Sequence, residues 1–169
     1  MAQRISLRDY QRELAERLRD ADSARSASKL GVQVGAQSWL IDLAEAGEVI
    51  PVPSITTVPL TRAWFRGVAN VRGNLYSVVD FAAFLGAGVA TASEQARLVL
   101  LGERFRSAAA LLVDRSLGLR NPAQLRAREP APGRQTWLRA EYDDDAGGQW
   151  RELDVADLVR HPEFLTVAT

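Results

Sequence analysis

The chain has 169 residues, 47% hydrophobic and 25% charged with 21 basic against 21 acidic side chains, which bounds it to one ordinary domain or two small fused ones. It has no cysteine, and that excludes disulfides, thiolate zinc sites and cysteine nucleophiles. No apolar run approaches the ~20 residues of a membrane span and Met1 to Ser6 carries no apolar signal core, so a cytoplasmic location is expected.

From Ser6 to about Ala24 the pattern predicts an amphipathic helix. Leu7, Tyr10, Leu14 and Leu18 recur at helical spacing among charged residues. Ser6 with Asp9 three residues on resembles a capping box. Such a helix needs an apolar surface, either its own domain or a partner. With the small polar linker through Ser28, residues 1–27 form an N-terminal segment outside the main domain.

A hairpin is expected next. Leu30, Val32 and Val34 share one parity, Trp39, Ile41 and Leu43 another, and a turn lies at Gly35-Ala36-Gln37. Glu48 to Pro53 reads as an edge or interrupted strand, because its prolines cannot donate hydrogen bonds. The stretch from Trp64 to Phe81 is the most informative. Gly67 and Gly73 bracket a short strand in which Ala69 and Val71 face a core while Asn70 and Arg72 face outward. Gly73 suits a positive φ or a tight turn, followed by a strand from Asn74 to Asp80. Arg72 has two readings: a local pair with a carboxylate, or a contact to a partner.

Phe81 to Gly86 suggests one helical turn, and Gly86 to Ser93 a loop. Its Gly-x-Gly lacks the third glycine, helix and acidic residue of a dinucleotide fingerprint. Arg97 to Leu101 and Ala108 to Asp114 read as buried strands, and Asn121 to Gly133 as a basic loop. A final hairpin pairs Trp137–Tyr142 with Gln149–Leu153 through an acidic turn. Asp143, Asp144 and Asp145 lack the closing glutamate of an EF-hand loop, so a solvated turn is expected. Asp154 caps a short helix and Pro162 starts another. Short strands with frequent turns indicate a mostly β, barrel-like architecture.

Eight arginines face two acids between Arg104 and Ala140, and eight acids face two arginines between Glu141 and Glu163. No aromatic-interleaved basic motif accompanies them, so nucleic acid is not an expected partner. His161 is the only histidine and Lys29 the only lysine. That inventory supplies no triad, zinc site, P-loop or Schiff base, and no metal or cofactor is expected.

The run from Gly67 to Phe81, Gly-Val-x-Asn-x-Arg-Gly followed by a strand ending Val78-Val79-Asp80, resembles the signature of the CheW-like domain family. Its wording is most similar to the CheW-like adaptors of type IV pilus (twitching motility) systems. The resemblance covers about residues 28–153, leaving 154–169 as a helical tail. It implies two packed SH3-like five-stranded barrels, divided near residue 73, with a receptor site in the groove between them. It further implies a non-catalytic adaptor that binds the regulatory domain of a CheA-type histidine kinase and the cytoplasmic tip of a methyl-accepting chemoreceptor. Such an adaptor is recruited to inner-membrane receptor arrays without entering the membrane. On this reading Gly67, Asn70, Arg72, Gly73 and Asn74 are groove candidates. Two departures stand out: Ala69 where the family carries a larger aliphatic residue, and Ser77 where a proline often stands. The other reading is a small-molecule-binding or hydrolytic barrel with a site around Arg72, Tyr76 and Asp80. It requires a deep pocket with convergent polar groups and shifted pKa values.

Overall fold

The computed structural model describes residues 28–91, 93–129 and 132–169; the helix expected at residues 6–24 lies outside them. In chain order the strands are β1 (Lys29–Val34), β2 (Gln37–Asp42), β3 (Ala46–Pro51), β4 (Ile55–Thr56), β5 (Phe65–Val71) and β6 (Asn74–Asp80). Then follow β7 (Arg97–Leu101), β8 (Ala109–Val113), β9 (Arg115–Arg120), β10 (Arg126–Ala127), β11 (Leu138–Asp143) and β12 (Gln149–Leu153). Three one-turn helices complete the set: α1 (Phe81–Phe84), α2 (Val155–Leu158) and α3 (Pro162–Leu165).

The strands form two sheets, one ordered β10-β11-β12-β2-β1-β9 and the other β3-β7-β8-β6-β5-β4. Each has five full strands and one of two residues, matching the expected mostly β, two-barrel architecture. The expected divide near residue 73 needs correction, because that position is the turn of one hairpin inside the second sheet. The chain leaves the first sheet after Asp42, builds the whole second sheet, and returns at Arg115. The antiparallel pairing of β9 with β1 and the parallel pairing of β12 with β2 close the first sheet across the inserted segment and make this nesting necessary. The Asn121 to Gly133 loop also holds the short strand β10, whose Ala127 pairs with Tyr142.

Strand parity explains where the core lies. Leu30, Val32, Val34, Trp39 and Ile41 turn toward Val79, Val99, Leu111 and Val113 of the other sheet. An aromatic cluster seals this seam: Trp39 lies edge-on to Phe81 with centroids 5.3 Å apart, and Phe84 touches Trp64 at 5.3 Å and Phe164 at 5.6 Å. Val155, Leu158 and Phe164 belong to the same core, so residues 154–165 are part of the domain rather than a tail. A smaller core of Ala69, Val78, Leu98, Leu100, Ala110 and Leu112 fills the second sheet's own concave face. The first sheet instead carries charge on its corresponding face. Lys29 pairs with Glu152 at 3.0 Å, and Arg139 reaches Glu45 at 2.8 Å and Asp154 at 2.9 Å. Tyr142 donates its hydroxyl proton to Glu152 at 2.7 Å. Burial, then that bond and the charge of Glu152, push the Tyr142 phenol up to about 12. These pairs, with Arg128–Asp143 at 3.7 Å, bring together charges that lie in separate blocks of the sequence.

Candidate functional site

The hairpin of β5 and β6 is built from opposite constraints at its two ends. Near its base the β5–β6 register shifts between Phe65 and Gly67, and Gly67 has φ +127°. A Cβ there would collide with the Thr56 carbonyl on β4, so only glycine fits. Gly67 is buried, which gives it a packing role and removes it from any contact surface.

At the other end Val71 pairs with Asn74 across a two-residue turn. Both turn residues have positive φ, Arg72 at 51° and Gly73 at 89°, the pattern of a type I′ turn matched to sheet twist. Arg72 therefore belongs to the turn, and its direction does not follow from strand parity. Parity holds for the strand itself, with Ala69 buried and Asn70 exposed. The Asn70 Oδ1 accepts the Gly73 amide at 2.8 Å, fixing the turn from within. The Arg72 guanidinium donates Nη1 and Nη2 to the two carboxylate oxygens of Glu48 at 2.9 and 2.7 Å. This pair stays open to water, with side chains 74% and 40% exposed. Asn74 and Leu75 stand beside it, also exposed.

A shallow concavity of about 320 Å³ adjoins the tip, lined by Asn74, Leu75, Tyr76, Glu103, Arg106 and Ser107. Sequence reasoning missed Glu48, Leu75 and Arg106. Arg106, like Arg72, has a left-handed backbone, with φ 49°. No local signal marks Glu48, since its partner is 24 residues away.

The structure does not assemble Arg72, Tyr76 and Asp80 into one site. Tyr76 and Asp80 are four residues apart on one strand, roughly 13 Å, with Arg72 beyond at the tip. Asp80 is fully buried. Its carboxylate accepts the Ala83 amide at 3.0 Å to cap α1, and the Ala90 amide at 3.1 Å to fix the following loop. Arg66 approaches it at 3.7 Å. In the acidic turn Asp144 accepts the Gly148 amide and the Trp150 indole N–H. The indole bond first, then the amide, hold its carboxyl below the usual carboxylate range. His161 stands immediately before Pro162 of α3.

A family model described as the CheW-like domain matches residues 29–163. The chain belongs to the CheW-like family. It is 29% identical over 151 residues to Protein PilI of Pseudomonas aeruginosa, covering 87% of this chain and 83% of that protein. It is 28% identical over 99 residues to Chemotaxis protein CheW of Thermotoga maritima, covering 59% and 64% respectively. The scaffolding protein TtCheW from Thermoanaerobacter tengcongensis shares the fold, with a TM-score of 0.64 at 19% identity over 77% of this chain and 85% of that one. The two departures from the CheW-like wording have physical reasons here. Ala69 sits in register between Ile55 and Tyr76, whose larger side chains border it. Ser77 donates its amide to the Ala108 carbonyl at 2.7 Å, a bond no proline can make. No helix among the described residues is long and apolar enough to cross a membrane.

Proposed function

We propose that the chain is a non-catalytic adaptor joining a methyl-accepting chemoreceptor to a CheA-type histidine kinase in a type IV pilus (twitching motility) chemosensory pathway. It works in the cytoplasm, recruited to receptor arrays at the inner membrane. Family membership and the similarity to PilI support this reading. The observation that carries it is the hairpin tip. Arg72 stands on a two-residue turn with its guanidinium paired to Glu48 yet 74% exposed, so the charge is presented to solvent where a partner can reach it. Arg72 and Asn74 offer charge-assisted and amide hydrogen bonds beside the exposed apolar Leu75, the mixture typical of a contact surface. In this reading the receptor tip seats at Asn70, Arg72, Gly73 and Asn74. The kinase regulatory domain meets barrel surfaces elsewhere, through edge strands and apolar loop tips such as Val58 and Leu60. By fixing receptor and kinase in one array the adaptor biases kinase activity.

The test is titration of the full chain with each partner, taken from the same genome. Saturable binding to both, without ATP hydrolysis or phosphotransfer, is expected. Failure to bind either partner overturns the reading. So does a turnover that an Arg72 or Asp80 variant loses while remaining folded.

A further inference from the structure

Half of the buried residues in the second sheet's own core are alanines: Ala69, Ala90, Ala96 and Ala110 among eight. Such small side chains leave space on a concave face. Where Ala90 and Ala96 line it with Val52, Ile55 and Leu112, the core opens into a cavity of about 380 Å³, a size within the range of small-molecule sites. The protein itself holds the wall in place, because Asp80 accepts the Ala90 amide at 3.1 Å and Asp114 accepts the Thr91 amide at 2.7 Å. Two charged side chains line the same cavity, Arg66 and Glu94. The Arg66 side chain is 41% exposed; its one ion pair among the described residues is the 3.7 Å approach to Asp80, and it donates no hydrogen bond there. Glu94 is exposed, and its carboxylate has no ion pair among the described residues.

We propose that this cavity binds an apolar α-amino acid, its side chain against Val52, Ile55 and Leu112, its carboxylate on Arg66 and its ammonium on Glu94. The apolar wall selects an aliphatic body, and each charged group of the ligand meets an opposite charge. Charge also decides against simpler ligands. Arg66, Asp80 and Glu94 leave one negative charge in excess, and a plain carboxylate would add a second. An alkylamine would pair with Glu94 but leave the guanidinium donors without an acceptor. The zwitterion uses both groups and adds no net charge. Arg66 lies at the base of β5, roughly 20 Å along the strand from the Arg72 tip, so the inference does not rest on the adaptor reading.

Leucine, isocaproate, which lacks the ammonium, and isoamylamine, which lacks the carboxylate, share one aliphatic body. Titration of the full chain with each, followed by the amide shifts of Ala90, Ala96 and Leu112, tests the proposal. Leucine should give saturable shifts there, and each analogue should bind about tenfold more weakly, the worth of one lost hydrogen bond to a charged group. Glu94→Gln should weaken leucine by a similar factor without weakening isocaproate, and Arg66→Gln should weaken leucine without weakening isoamylamine. Ala96→Leu should fill the cavity and abolish binding of all three, while the remaining spectrum stays that of the folded chain. No saturable shift with leucine, shifts centred elsewhere, or an analogue that binds as tightly as leucine overturns the proposal. So does an unchanged leucine affinity in any of the three variants. Protection of these amides by an adaptor partner but not by leucine makes the cavity a protein contact and also overturns it.

Discussion

Replacing Arg72 separates a contact residue from a structural one. Arg72→Ala retains the left-handed backbone, whose cost of about 1–2 kcal/mol the arginine already bears, so strain is unchanged. The loss is the Glu48 pair, bidentate but exposed on both sides, worth about 0.2–1 kcal/mol. For a chain of this size the Tm should move by no more than about 2–4 °C. Arg72→Gly should fall in the same window. Relief of strain by about 1 kcal/mol is offset by the ion pair and by the greater freedom glycine gives the unfolded chain. Receptor-tip binding should weaken far more, by about 1–3 kcal/mol or roughly 5–150-fold, because a hydrogen bond to a charged group is lost and its partner stranded. Kinase-domain binding should change little. Calorimetric titration of both partners, with melting curves on the same preparation, reads all three quantities. A large drop in Tm with unchanged receptor affinity would show Arg72 to be structural. Equal losses for both partners would show that the two surfaces are not separable.

Gly67→Ala should destabilise by about 2–4 kcal/mol, from collision with Thr56 and an unfavourable φ, read as a lower urea midpoint; an unchanged midpoint refutes the close approach. Asp80→Ala should cost a similar amount, about 2–4 kcal/mol, because it removes the α1 cap and strands the buried Ala90 amide; amide exchange at Ala90 should accelerate, and an unaltered rate contradicts the assignment. Tyr142 has a folded-state pKa raised to about 12 from 10.0. Its contribution to stability is therefore complete below the unfolded value and is lost as pH rises through about 12. Tyrosinate absorbance should show a late alkaline step that Tyr142→Phe abolishes, and its persistence in that variant would assign the step elsewhere.

Much of the fold was legible because burial and parity coincide. Leu30, Val32 and Val34 alternate in sequence and line one core in space, and the all-apolar runs of β7 and β8 are strands buried on both faces. Strand β9 escaped detection. Its residues, Arg115 to Arg120, are nearly all exposed and include Gly118 at φ +77°, so no alternation betrays it. The nesting of one sheet within the other was invisible for a related reason: it depends on pairings between strands far apart in sequence. At the hairpin tip, Gly73 announced a turn, but a positive φ at Arg72 runs against the side chain's own preference. Its ion pair with Glu48 depends on tertiary placement. Asp80 carried a readable capping signal, a carboxylate directly before an apolar run, and its depth of burial shows that cap to be its role.

The adaptor account rests on one chain holding two partners at once. Sedimentation of the full chain with the kinase regulatory domain, with the receptor cytoplasmic tip, and with both together measures this directly. The account predicts a ternary species when both are present, lost by Arg72→Ala only on the receptor side. Mutually exclusive binding of the two partners would contradict it.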